Sequence, residues 1–466
     1  MSDTLMISVS GMRGHVGTDL TPELVARHAA ALGAWVRTAA MPQVAGSPRG
    51  PQRPAVVLGR DARTSGPMFA RAAAAGLQSV GVDVIDLGIV PTPTVQLAVE
   101  HHHAGAGLIL TASHNPIEWN ALKFVGPDGI FLDAEAGARV RALAEQGPPR
   151  MGWEGIGEVR TDPDAIGRHL DAILALPLID LEAIRRRRFH VALDCVHGAG
   201  ATAMLPLLER LGCRVTGINL ETDGLFPRAP EPVPENLGEL AAAVREAGAD
   251  IGLAVDPDVD RLALVDETGI PIGEDYTLAF AVRAVLDGRS SPAEHATVVM
   301  NLSTSLVVED AARAAGARVV RAPVGEANVA RAIRDEGALI GGEGNGGVML
   351  PALHIGRDAP LGVALILHLL AANGVTVSDL VAASPRYTIV KAKGPRGPEL
   401  GPLYDRLRRR FGDATPDDRD GLRLSWADRW LHVRPSGTEP IVRLIAEAPS
   451  PEAAEALVAA ARELLH

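Results

Sequence analysis

One unit recurs along this chain and limits what it can become: an apolar strand, a turn, an Ala- and Leu-rich helix, then a second strand. The leading strands lie at 56–59, 191–194 and 298–301, the helices at 67–80, 201–211 and 306–315, and the following strands at 82–87, 214–218 and 318–321. Strand, helix and strand at this spacing build α/β architecture with largely parallel sheets. Three copies so far apart predict three similar domains, and the spacing is too wide for a solenoid. Beyond about residue 373 the alternation changes. Strands at 387–393, 422–425, 430–433 and 442–447, flanked by helices at 399–411 and 451–465, predict an α+β module with an antiparallel sheet. Residues 43–54, rich in Pro, Gly and Arg, read as an exposed loop, and 146–157 as the lead into the second domain. The expected division is 1–150, 151–256, 257–372 and 373–466.

Composition narrows the class. A chain of 466 residues, 47% hydrophobic and 22% charged, is globular rather than disordered. The longest apolar run, 361–370, is too short for a membrane span and contains His368, so a buried helix is expected. The first residues show no basic segment ahead of an apolar one, and two cysteines make no disulfide framework; a reducing cytoplasm is the expected compartment. The net charge of −12 argues against nucleic acid as a partner, so any anionic ligand must be met by local positive charge. Lysine occurs only at 123, 391 and 393 amid abundant arginine. A lysine surviving that bias is a candidate for a role arginine cannot fill.

Four segments carry candidate chemistry. Thr111-Ala112-Ser113-His114-Asn115-Pro116 follows an apolar strand, where α/β proteins present side chains to ligands. Ser113 is a candidate nucleophile, with Lys123 close downstream, although the same residues also favour a plain turn. Asp256-Pro257-Asp258-Val259-Asp260-Arg261 sets three carboxylates at alternate positions, an oxygen set suited to magnesium or calcium. A calcium-hand loop is excluded because Arg261 stands where that loop needs glycine and 262–265 reads as a strand, which leaves a metal loop, favoured, or an acidic solvent-facing turn. In Gly341-Gly342-Glu343-Gly344-Asn345-Gly346-Gly347, glycines allow close backbone approach while Glu343 and Asn345 suit hydroxyls. Arg434-Pro435-Ser436-Gly437-Thr438-Glu439-Pro440 joins an arginine, two hydroxyls and a flexible turn into a phosphate nest, or is an ordinary hairpin turn. Cys195 and His197 read as structural, the histidines at 101–103 as solvated, and Asp61 with Arg60 and Arg63 as support that pairs across domains.

A nucleophile, a tri-carboxylate loop, a hydroxyl reader and a phosphate nest, one per module, describe phosphoryl transfer on a hydroxylated small molecule. In order and spacing the four motifs, with SVSGMRG near the start and GRDARTSG, resemble the α-D-phosphohexomutase family along essentially the whole chain, phosphoglucosamine mutases most of all. The resemblance implies three α/β domains and a fourth α+β domain around a central cleft. It implies a phosphorylated Ser113 with Arg13, His114 and Lys123 beside it, and Mg2+ held by Asp256, Asp258, Asp260 and the Ser113 phosphate. It further implies substrate contacts from Arg261, Glu343, Asn345, Arg434, Ser436, Gly437 and Thr438, and hexose 1,6-bisphosphate as activator. The expected partner is a small sugar phosphate, with no nucleic acid or membrane, and the expected state a monomer or homodimer. The reaction implied is hexose 6-phosphate to hexose 1-phosphate. Asn345, and the segments at 323–330 and 118–124, favour glucosamine phosphate, with mannose or glucose phosphate as the runner-up and a non-catalytic sensor or a phosphatase as remoter readings. Many relatives end the sugar loop in Ser-Gly-His where this chain has Asn345-Gly346-Gly347, leaving that histidine's role to Lys123 or, second, to His354.

Overall fold

The computed structural model describes residues 5–8, 11–40, 53–287, 296–397, 399–436 and 441–465. Its strands form four sheets. The first has seven strands in the order Met6–Ser8, Gly11–His15, Trp119–Val125, Ala106–Leu110, Ala55–Arg60, Asp83–Ile89, Val159–Thr161. The last four strands in that order run parallel, and the first three are joined antiparallel. The second and third sheets each have three parallel strands and one antiparallel strand, Leu262–Val265 and Gly347–Met349 respectively. The fourth, from Thr388–Pro395 to Ile441–Ala448, is wholly antiparallel. Three mixed α/β units and one antiparallel module are therefore the architecture, as the alternation of the sequence implies. The pairing of Ile251–Val255 with Leu262–Val265 runs through the expected division at 256/257 and carries the second sheet to Val265. The expected loop at 43–54 lies almost wholly outside the described residues.

The antiparallel strands matter because each creates a hairpin at the carboxyl end of a parallel strand. The links 111–118, 256–261 and 344–346 join Ala106–Leu110 to Trp119–Val125, Ile251–Val255 to Leu262–Val265, and Ile340–Glu343 to Gly347–Met349. Three of the four sequence motifs thus occupy equivalent turns, and the fourth follows Trp430–Pro435. A turn and a functional loop are here the same object.

The helix Ala359–Asn373 explains how the second and third units stay together. It is apolar all round, with eleven buried residues, and its N-cap Asp358 accepts from the Leu361 N–H at 2.9 Å. A helix without a polar face must be enclosed. One hydrophobic cluster runs through it from Leu170 to Leu380 and draws on both units. The fourth unit has its own core around Leu407, Leu431 and Leu444. It meets the third through polar contacts: Ser303 with His432 at 2.8 Å, Tyr387 Oη to Asp310 at 2.7 Å, and Glu447, which accepts from Ser305 Oγ and from the Leu306 N–H.

His432 makes that contact pH-sensitive. Its Nε2–H donates to the Asp420 carbonyl, so Nδ1 accepts from the Ser303 hydroxyl. Burial lowers its pKa to about 4, against about 6.5 in an unfolded chain. The unfolded chain therefore takes up a proton that the folded one refuses, and stability is intact above pH 6.5 and declines toward pH 4. Denaturant midpoints measured across this range should fall more steeply for the wild type than for His432→Leu; equal slopes would show that His432 is not the titrating group.

Candidate active site

Ser113 sits in the left-handed region at φ 49°, which turns its side chain out of the strand line. The local sequence holds that turn from inside. Thr111 Oγ1 accepts from the Ser113 N–H at 2.9 Å and donates to Asp61 Oδ2 at 2.6 Å. Arg63, fully buried, donates to the carbonyls of Ser113, Asn115, Pro116 and Trp119 at 2.6–3.0 Å and pairs with Asp61 at 3.0 Å. The expected pairing of Asp61 with arginine across domains is thus local: Arg63 staples the serine loop of its own unit, and it reaches the second unit by stacking on Phe226, 4.9 Å from the ring centre.

The metal-loop aspartates are all fully buried. Val259 between them takes φ 62°, a costly conformation for a β-branched residue, which turns the carboxylates onto one point. Asp256 accepts from the amides of Asp260 and Arg261 at 3.2 Å and from Ser113 Oγ at 2.9 Å. Asp258 Oδ2 accepts from Thr92 Oγ1 and Lys123 Nζ, each at 2.8 Å. Burial, with Asp260 and Asp258 beside it, pushes the Asp256 carboxyl well above the ordinary range. Burial opposes the charge of Asp258 too, but the charge and hydrogen bond of Lys123, with the hydrogen bonds to Thr92 and Asp256, together hold that group low. One oxygen from each carboxylate lies within 4.8 Å of the others. Asp258 Oδ1 and Asp260 Oδ1 are buried without a hydrogen-bond partner. Orphaned hard oxygens around a point of excess negative charge fit a magnesium ion.

Positive charge surrounds this center. Arg13, on Gly11–His15, donates to Asn115 Oδ1 at 2.6 Å. Arg261 donates to Glu231 at 3.2 Å, while its buried Nε, without a hydrogen bond, lies 3.8 and 4.0 Å from Asp260 and Asp256. His114 is held well below its usual pKa, first by Arg261, then by burial and Arg13, so its imidazole is neutral; Nδ1 lies 3.4 Å from Ser113 Oγ.

The sugar loop shows what sequence reasoning missed. Glu343 accepts from Asn301 Nδ2 at 2.9 Å, the Gly325 N–H at 3.0 Å and Arg357 at 3.1 Å; burial opposes its charge, and Arg357 leads the contacts that hold it low. Arg357 also bonds Asp260 at 2.6 Å and Glu326 at 3.1 Å. Asn345 Oδ1 accepts from the Gly347 N–H at 3.2 Å and so shapes its own loop. His354 turns away from the site: its Nε2 and that of His169 converge on Asp358 Oδ2 at 3.0 and 2.7 Å. Arg434 donates to Asp420 at 2.9 Å, and Ser436 is buried beyond it; Gly437 and Thr438 lie outside the described residues. Arg357, Thr92 and Asp420 belong to no motif, and nothing in their local sequence marks them.

A serine turned toward clustered carboxylates, beneath arginines from three units, defines an enzyme that handles phosphoryl groups. Comparison with known proteins specifies which. The chain matches the phosphoglucomutase/phosphomannomutase domain models: α/β/α domain I over residues 5–150, domain II over 167–269, domain III over 273–387 and the C-terminal domain over 414–464. It belongs to this family of phosphohexomutases, which are isomerases. It is 39% identical over 450 residues to a phosphoglucomutase/phosphomannomutase of Thermococcus kodakarensis, covering 95% of this chain and 94% of that one. It is 37% identical over 454 residues to a probable phosphoglucosamine mutase of Methanopyrus kandleri, covering 96% and 95%. A solved structure of a family protein from Burkholderia thailandensis superposes with a TM-score of 0.84 at 27% identity, covering 99% and 98%. Among the described residues no helix is long and apolar enough to cross a membrane.

Arg63→Met strips Asp61 of its buried cation and withdraws a donor from four carbonyls. The expected loss is about 3–5 kcal/mol of unfolding free energy, with faster amide exchange across 111–119. Unchanged exchange there would remove Arg63 from this role.

Proposed function

We propose that this enzyme interconverts glucosamine 6-phosphate and glucosamine 1-phosphate through a phosphoserine at 113 and a 1,6-bisphosphate intermediate. The observation that carries the reading is Ser113 itself, its Oγ 2.9 Å from Asp256 at the edge of three carboxylates with orphaned oxygens. In the forward step the Ser113 Oγ–phosphorus bond breaks as a bond forms from phosphorus to the free sugar oxygen. In balance, one proton passes from that sugar hydroxyl to Ser113 Oγ. Lys123 relays it on this reading, and neutral His114 is the hydrogen-bond partner of the serine. Phosphoryl transfer needs positioning and charge neutralisation above all. Arg13 and Arg261 supply protein charge beside the serine. Magnesium held by Asp256, Asp258 and Asp260, with a phosphate oxygen on Ser113, would add positive charge against the group in transit. Arg434 and Ser436, with Gly437 and Thr438, hold the phosphate that is not reacting, and Glu343 and Asn345 face the sugar hydroxyls. The bisphosphate then turns over and returns its other phosphate to Ser113, so added hexose 1,6-bisphosphate restores a dephosphorylated enzyme. Cys195 and Cys213 are free thiols, which fits work in a reducing cytoplasm.

The glucosamine assignment draws support from the Methanopyrus relative's name. The second reading, mannose or glucose phosphate, draws on that of the Thermococcus relative. Comparing kcat/KM for glucosamine, glucose and mannose 1-phosphates decides between them. Glucosamine phosphate should lead by about 5–150-fold, since one polar contact is worth ~1–3 kcal/mol; a lead for either other sugar overturns the choice. Inorganic phosphate as the main product would mean a phosphatase instead.

Two variants test the site. Ser113→Ala should abolish turnover and remove the phosphate found on the purified protein by peptide mapping; full activity would refute the nucleophile. Asp258→Asn, which removes one ligand charge from a folded chain, should weaken magnesium binding by at least about tenfold, or ~1.4 kcal/mol, in calorimetry. Unchanged affinity would mean that the carboxylates serve another purpose.

A further inference from the structure

Arg357 is the one described side chain seen to bond both the metal loop and the sugar loop. Nη2 donates to Asp260 Oδ2 at 2.6 Å, Nη1 to Glu343 Oε2 at 3.1 Å, and Nε to Glu326 Oε2 at 3.1 Å, at the start of the helix Glu326–Asp335. The residue is 7% exposed. Its stem has no freedom to wander: a Cβ at Gly347 would stand 2.3 Å from Arg357 Cδ and 2.8 Å from Cγ. Gly347 has an ordinary backbone φ, so steric room for Arg357, rather than backbone conformation, calls for glycine there. One planar cation is thus shared by a metal ligand, a sugar-loop carboxylate and a third acid that keeps the fork in register.

We propose that Arg357 is a positioning residue that couples cation binding at the aspartates to sugar binding at Glu343. This coupling rests on the functional reading proposed for the site, and shared charge produces it. Without a metal ion, Asp260 and Glu343 divide the charge of one guanidinium, each on its own nitrogen. A divalent cation on Asp260 satisfies that carboxylate and leaves Arg357 to Glu343, which is then held firmly for the sugar. Linkage makes the effect mutual: sugar phosphate must tighten the cation by the same factor that the cation tightens sugar phosphate.

The test uses full-length protein carrying Ser113→Ala, which cannot turn over, and calorimetric titration with magnesium chloride and glucosamine 1-phosphate, each alone and with the other saturating. The expected coupling is about fivefold or more. Adding Arg357→Lys, whose single ammonium cannot span three carboxylates, should reduce it to less than about twofold. Gly347→Ala, which displaces the stem and leaves every charge in place, should do the same; it also serves if the lysine variant misfolds by circular dichroism. A merely structural role would weaken both ligands and leave the coupling factor unchanged, and that result overturns the inference, as does the absence of coupling in the Arg357 protein. If no hexose phosphate among glucosamine, glucose and mannose binds with magnesium present, the functional reading itself has failed, and the inference falls with it.

Discussion

Three carboxylates buried within one five-residue span repel one another, and that repulsion has organised the chain around it. Removing an ionised carboxylate from water costs several kcal/mol unless charge and hydrogen bonds are returned to it. Here they come from separate units: Thr92 and Lys123 from the first, backbone amides and Arg261 from the second, Arg357 from the third. Each unit thereby has a reason to be where it is. The compensation stops short, with two carboxylate oxygens left unpaired in the cluster that Ser113 Oγ reaches through Asp256.

The loops that meet there share an origin. Each of the first three sheets ends a parallel strand in a hairpin to an antiparallel neighbour, and each hairpin carries one motif. Two of the three contain a non-glycine residue in left-handed backbone, Ser113 and Val259. Strain of this kind costs about 1–3 kcal/mol and persists only where the surroundings over-determine it. At Ser113 the surroundings are Arg63, Asp61 and Thr111; at Val259 they are the amides that lean on Asp256.

Much of this could be read in advance. Alternating strands and helices gave three α/β units, since the 2.0 and 3.6 periods are properties of local sequence. The motif residues were found because glycine, proline and clustered polar side chains stand out against an Ala- and Leu-rich chain. What escaped was long-range pairing. Arg357 and Asp260 are 97 positions apart, and Thr92 and Asp258 are 166 apart, so no window on the sequence contains both partners. Arg63 does pair with Asp61, but the four carbonyls it also binds have no sequence signature at all. His354 is the second candidate for the role of the histidine missing from the sugar loop; in space it bonds Asp358, as does His169.

The fourth unit carries its own core and touches the third largely through side-chain hydrogen bonds. The second and third share a single apolar mass. A fused interior of that kind admits little sliding, because shifting it means repacking side chains at crystal density. A polar seam is different, since water can take over each of its bonds at small net cost. The second and third units are thus one block, and the fourth stands across a polar seam from it. Arg434 lies on the far side of that seam, while Asp256, Asp258 and Asp260 belong to the fused block. A shift along that seam would carry Arg434 relative to the aspartates without repacking either core.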